Sequence, residues 1–181
     1  MGILLGFAPF LGFAVATGFW GPIMGLLVGA VTSAALLVYE LVRKHQPKIL
    51  ELGTFVMFAG LLAWAKLFPS PLTVLSVRLR VDAGLLLIIL ISMAIGKPFT
   101  LQYARERVPA ERWKSPRFAR INFVITSVWA LAFACIVAAD LMMIYLPTVP
   151  IRVGIVVTVA ALYGAYRFTA WYPKHASQTR T

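Results

Sequence analysis

The chain of 181 residues is 61% apolar and only 13% charged, with a net charge of +11 and a mean hydropathy of +0.87. A soluble domain usually carries about 25% charged residues, so these values exclude an ordinary water-soluble globule and, with it, most soluble enzymes. Bilayer thickness is the better ruler: a spanning helix takes roughly 20 mostly apolar residues, which leaves room for about six spans and little else.

The first apolar run is Ile3–Phe19. Met1-Gly2 supplies no positive n-region of the kind a cleaved signal needs, so the run is read as a span over 3–19. Trp20-Gly21-Pro22 is a turn signal with an interfacial aromatic and a helix-starting proline, and a second span follows over 23–42. After the basic connection from Arg43 to Lys48, a third span occupies 49–68 and stops at Pro69-Ser70-Pro71.

The next stretch alternates as Val77-Arg78-Leu79-Arg80-Val81. An isolated strand edge in lipid would leave its backbone unsatisfied, so a surface-lying or looped approach is expected. It leads to a fourth span at about 82–95, with the helix starting earlier as an alternative, and Gly96-Lys97-Pro98 closes it. A polar segment over 97–120 separates this from a fifth span over 121–146, which ends at Pro147-Thr148-Val149-Pro150. The sixth span covers 151–172 and a short polar tail follows.

The predicted fold is therefore an all-α membrane bundle of about six helices in one domain. Lysine and arginine bias sets its orientation. Twelve basic residues fall in the connections after spans two and four and in the tail, against Lys66, Arg78, Arg80 and Arg152 on the other side. Both termini and the basic connection 97–120 are thus expected in the cytoplasm, in a multi-pass protein of a cytoplasmic membrane.

Three groups of residues stand out. Gly21, Gly25, Gly29 and Ser33 form a small-residue stripe at successive i, i+4 positions, which lets two helix backbones approach closely in lipid. The short connection to span one favours an intramolecular helix pair; a homodimer interface is the alternative. Among ionisable residues near or within spans, Asp140 is the deepest acid, with Glu51, Asp82 and Arg152 as further members of a candidate intramembrane polar site. Pairing of Asp140 with Arg152 or Arg78 is the simple account, and proton- or cation-coupled transport is the functional one. Finally, Arg105, Arg107, Arg112 and Lys114 surround Trp113 in the basic connection, a mixture suited to anionic headgroups or a cytoplasmic partner. One basic loop is too thin a footprint for nucleic acid.

Several chemistries lack their usual residues. His45 and His175 both lie in polar connections, which argues against a haem held inside the bundle. The lone Cys135 sits in an apolar run and reads as a small apolar filler. No Cys, His or Glu cluster has metal-ligand spacing and no glycine-rich phosphate loop occurs, so neither a metal nor another cofactor is expected.

The run Ile95-Gly96-Lys97-Pro98-Phe99, then Trp113, Arg120-Ile121-Asn122-Phe123 and Val128-Trp129-Ala130-Leu131-Ala132-Phe133, resembles the intracellular septation protein A family of inner-membrane-spanning proteins. Phe7-Ala8-Pro9-Phe10 fits the same pattern, whereas Gln102–Pro109 departs from it. The resemblance implies a bacterial inner-membrane protein tied to envelope synthesis and to the division machinery, and it carries over no catalytic residues. A non-enzymatic envelope or division component is thus the expected function. A small transporter using Asp140 is the second expectation, and a membrane-embedded enzyme acting on lipid the third.

Overall fold

A computed structural model describes residues 3–43, 46–68, 72–146 and 148–178. Lys44, His45, the Pro69-Ser70-Pro71 stop and Pro147 lie outside the described residues. Those described fold into helices and turns, with no strand among them. The helices are α1 (Ile3–Gly6), α2 (Ala8–Trp20), α3 (Pro22–Val42), α4 (Ile49–Leu67), α5 (Val74–Ala94), α6 (Phe99–Arg105), α7 (Pro116–Tyr145) and α8 (Ile151–Gln178). A 3-10 turn at Ala110–Arg112 precedes α7.

Four of these, α3, α4, α7 and α8, are long and apolar enough to cross a membrane, and the bent pair α5–α6 makes a fifth if it is one span. The exposed surfaces agree with a lipid environment. Leu11, Val31, Leu131 and Val156 are each at least 60% exposed on helix faces where a soluble protein would place polar residues.

The chain divides into two compact units, residues 1–88 and 89–181, with the boundary inside α5. In the first unit α2 packs on α3 and α3 on α4. Gly21 makes the first reversal possible: its φ of +87° lies where a side chain would be strained, and Pro22 starts α3 directly after it. The core gathers Phe13, Leu26, Ala30, Phe58, Val77 and Val81. Phe58 is fully buried, with the rings of Phe10 and Phe13 at 5.4 and 5.6 Å.

Helix α5 begins at Val74, eight residues before the expected span, so the looped approach is corrected to helix, in keeping with the alternative of an earlier helix start. The Thr73 side chain supplies the start, its hydroxyl accepting the Ser76 N–H at 3.1 Å. Val77 and Val81 are alternate members of a two-residue pattern, but they are also four apart. In the helix both are buried on one face. The arginines take the flanks: Arg80 lies over the Trp64 ring at 4.6 Å and Arg78 is 3.6 Å from Asp82.

In the second unit α6 and α8 both pack on α7. Helix α5 ends in a Schellman motif: the Lys97 N–H donates to the Ser92 carbonyl and the Gly96 N–H to the Met93 carbonyl, each at 2.9 Å, with Gly96 at φ +70°. Pro98 then forbids continuation, and α6 sets off at 73° to α5. The Ser92 hydroxyl stitches the bend by accepting the Phe99 N–H at 3.2 Å.

Candidate functional site

The stripe on α3 faces inward. Gly25, Gly29 and Ser33 are buried, whereas Gly21 is the half-buried turn residue that starts the helix. A Cβ on Gly25 would collide with the Thr17 hydroxyl of α2, and one on Gly29 would lie 2.6 Å from the Phe58 ring of α4. The glycines thus leave room for neighbours within the same unit, where dispersion contacts hold helices that have no hydrophobic reason to associate in lipid.

A buried charge cluster lies where α3 turns into α4. Lys48 donates to the Glu40 carboxylate at 2.8 Å and lies 3.4 Å from Glu51. The three residues are 4%, 1% and 4% exposed. Two helix ends bring them together: Glu40 is in the last turn of α3, Lys48 caps the start of α4 and Glu51 follows in its first turn. An acid in that first turn also suits the helix dipole. Sequence reasoning placed Glu51 among candidate polar residues but counted Lys48 only as an orientation charge and did not single out Glu40. The available signal was spacing, since Lys48 lies three residues before Glu51 and eight after Glu40.

The remaining members of the candidate polar site lie on α5, α7 and α8. Asp82 is half-buried beside Arg78 on α5. Asp140 is fully buried on α7, in line with Ile136 and Met143. Arg152 stands exposed at the start of α8. Cys135 is exposed on the α7 surface.

Most buried polar groups of the second unit are neutral. The Thr100 hydroxyl of α6 donates to the Asn122 carbonyl of α7 at 2.9 Å and accepts from the Thr126 hydroxyl at 2.7 Å. Trp129 donates its indole N–H to Thr169 of α8 at 2.9 Å, while Thr169 itself donates to the Ala165 carbonyl. Phe99 meets Trp129 edge-on with ring centres 6.4 Å apart, and Trp129 stacks on Phe133. These contacts tie α6, α7 and α8 without a formal charge.

The basic connection is only partly a surface segment. The whole of 97–120 reads from sequence as a polar segment, yet Phe99, Thr100, Leu101 and Tyr103 are all buried in α6. Apolar residues at 99, 101 and 103 read as loop because Gly96 and Pro98 stand just before them. From Arg105 onward the segment lies at the surface: Arg105, Arg107, Arg112, Trp113 and Lys114 are exposed. The Trp113 indole N–H donates to the Val108 carbonyl at 2.8 Å, and Arg105 sits over its ring at 5.7 Å. The loop is therefore closed on itself, with its cations outward.

Among the described residues no group of three or more His, Cys, Asp and Glu side chains could hold a metal ion. No protein-family model, curated protein or solved structure matches the chain.

Proposed function

We propose that the chain is a non-enzymatic, multi-pass protein of a bacterial cytoplasmic membrane, acting as an envelope or division-linked component. The observation that carries the structural part is the use of ionisable groups in the first unit. Lys48 joins Glu40 of α3 to Glu51 of α4, and Arg78 pairs with Asp82 along α5, so these charges are engaged in structural contacts. Six spans follow if α1 and α2 together count with the four long helices and the bent pair. Helix α2 alone has 13 residues, about 20 Å of rise, which is short for a hydrocarbon core of about 30 Å. The charge bias puts both termini and the exposed cations of 105–114 in the cytoplasm, against anionic lipid or a division or envelope-synthesis protein. The link to envelope synthesis rests on the resemblance of residues 95–133.

Deleting the gene in its host and imaging septum spacing and cell width tests that link. The expected result is misplaced or delayed septa, rescued by the wild-type chain. Normal division and envelope in the deletion strain would refute it.

One observation favours a second reading, a small proton- or cation-coupled transporter: Asp140 is 0% exposed within a membrane-length helix. In that case proteoliposomes should dissipate a pH or cation gradient, and Asp140→Asn should stop them. Under the first reading they hold the gradient as protein-free vesicles do.

A further inference from the structure

The start of α7 and the end of α8 enclose an open cavity of about 590 Å³, lined by Arg117, Arg120, Ile121, Trp171, Tyr172 and His175. We propose that this groove binds the phosphate headgroup of an anionic glycerophospholipid whose acyl chains lie along the apolar flanks of α7 and α8. The proposal rests on the reading of these two helices as spans.

Arg117 and Arg120 are three residues apart, which puts their guanidinium groups on one helix face. A guanidinium matches phosphate oxygens with paired donors and holds its charge at any pH of interest. Both arginines lie in the first turns of α7, whose start at Pro116 leaves peptide N–H groups with partial positive charge facing the same end.

The α8 wall supplies a different chemistry. Trp171 and His175 pack with ring centres 4.2 Å apart, and Tyr172 stacks on Phe168 at 4.9 Å. Indole and phenol rings favour headgroup depth because one side of each is apolar and the other donates a hydrogen bond. Among the described residues that line the groove there is no carboxylate to repel an anion.

Away from this end both helices expose large apolar side chains: Phe123 and Leu131 on α7, Val156, Val159 and Tyr163 on α8. A soluble anion would use the cationic mouth alone, whereas a phospholipid uses the mouth and the flanks together. The combination selects the lipid.

Native mass spectrometry of the detergent-purified full chain tests this, with dioleoylphosphatidylglycerol, dioleoylphosphatidylcholine and inorganic phosphate as probes. Phosphatidylglycerol should bind more tightly than phosphatidylcholine, and millimolar phosphate should not displace it. Arg117→Gln with Arg120→Gln should weaken phosphatidylglycerol at least roughly tenfold, the loss expected when charged hydrogen bonds are removed. Arg152→Gln removes an exposed cation from the other end of α8, about 28 Å of helical rise from Trp171, and should leave the affinity within about threefold, because distant exposed charges are screened. Equal loss in both variants, no preference over phosphatidylcholine, or displacement by phosphate would overturn the proposal. A diazirine-bearing phosphatidylglycerol photo-crosslinked to the wild-type chain needs no variant: adducts belong on peptides containing 116–121 or 171–176, and adducts confined to other peptides contradict the site. Release of the chain from membranes by alkaline carbonate would instead sink the spanning reading, and retention without crosslinks at the groove would sink the groove alone.

Discussion

The two units solve the same problem by different chemistry. Residues 1–88 bury two carboxylates around one lysine at the α3–α4 turn, with side chains at ion-pair distances. Residues 89–181 tie α6 to α7 and α7 to α8 through hydroxyl, carbonyl and indole groups. Removing charges from water is expensive, and their attraction offsets this only when geometry is good and every member is present. A neutral network costs less to bury and gives less when formed. The first unit should therefore be brittle to the loss of one partner, and the second should yield gradually.

The largest effect should come from Lys48→Met. It leaves Glu40 and Glu51 buried without their cation, and such a loss costs about 3–5 kcal/mol. Thermal unfolding followed by circular dichroism in detergent should show a large drop, and Glu40→Gln with Glu51→Gln added should recover much of it. Wild-type stability of Lys48→Met would erase the contrast between the units.

The close approach at Gly29 comes next. Gly29→Leu drives a side chain into the Phe58 ring and should cost about 1–3 kcal/mol through overpacking. Gly60→Leu is the matched control, since a Cβ there meets nothing within 4 Å. Aggregation temperature in detergent separates them, and equal behaviour would mean that the α3 stripe is not a packing surface.

In the second unit Thr126→Val removes one hydroxyl from the Thr100 network and should cost about 1 kcal/mol, typical of a polar contact between membrane helices. A loss as large as that of Lys48→Met would show that the neutral network is as critical as the ionic one. The smallest effect belongs to Arg107→Gln with Lys114→Gln, both exposed, which should leave stability within about 0.5 kcal/mol.

Much of this architecture was legible in the residues. Proline and glycine punctuation marked the turns at Gly21 and Gly96, and the i, i+4 spacing of Gly25, Gly29 and Ser33 marked a buried face. Three features were harder to read, for physical reasons. Over five residues an alternation such as Val77-Arg78-Leu79-Arg80-Val81 fits a strand and also contains the i, i+4 pair of a helix, and only Trp64 and Asp82 nearby show where the arginines go. The Glu40–Lys48–Glu51 cluster depends on the end of α3 meeting the start of α4, which charge counting does not report. The groove at Arg117 and Arg120 joins residues about 55 positions apart in the chain, and local spacing carries no trace of such a meeting.

The central claim is that these helices cross a bilayer with the basic connections on the cytoplasmic side. Labelling with a membrane-impermeant maleimide tests it directly, in a Cys135→Ala background that removes the exposed native thiol. In sealed right-side-out vesicles or intact spheroplasts, Thr73→Cys and Thr148→Cys should react, whereas Lys114→Cys and Lys174→Cys should react only after the membrane is opened. Reaction of Lys114→Cys and Lys174→Cys from outside, or of all four positions from one side, would contradict the account.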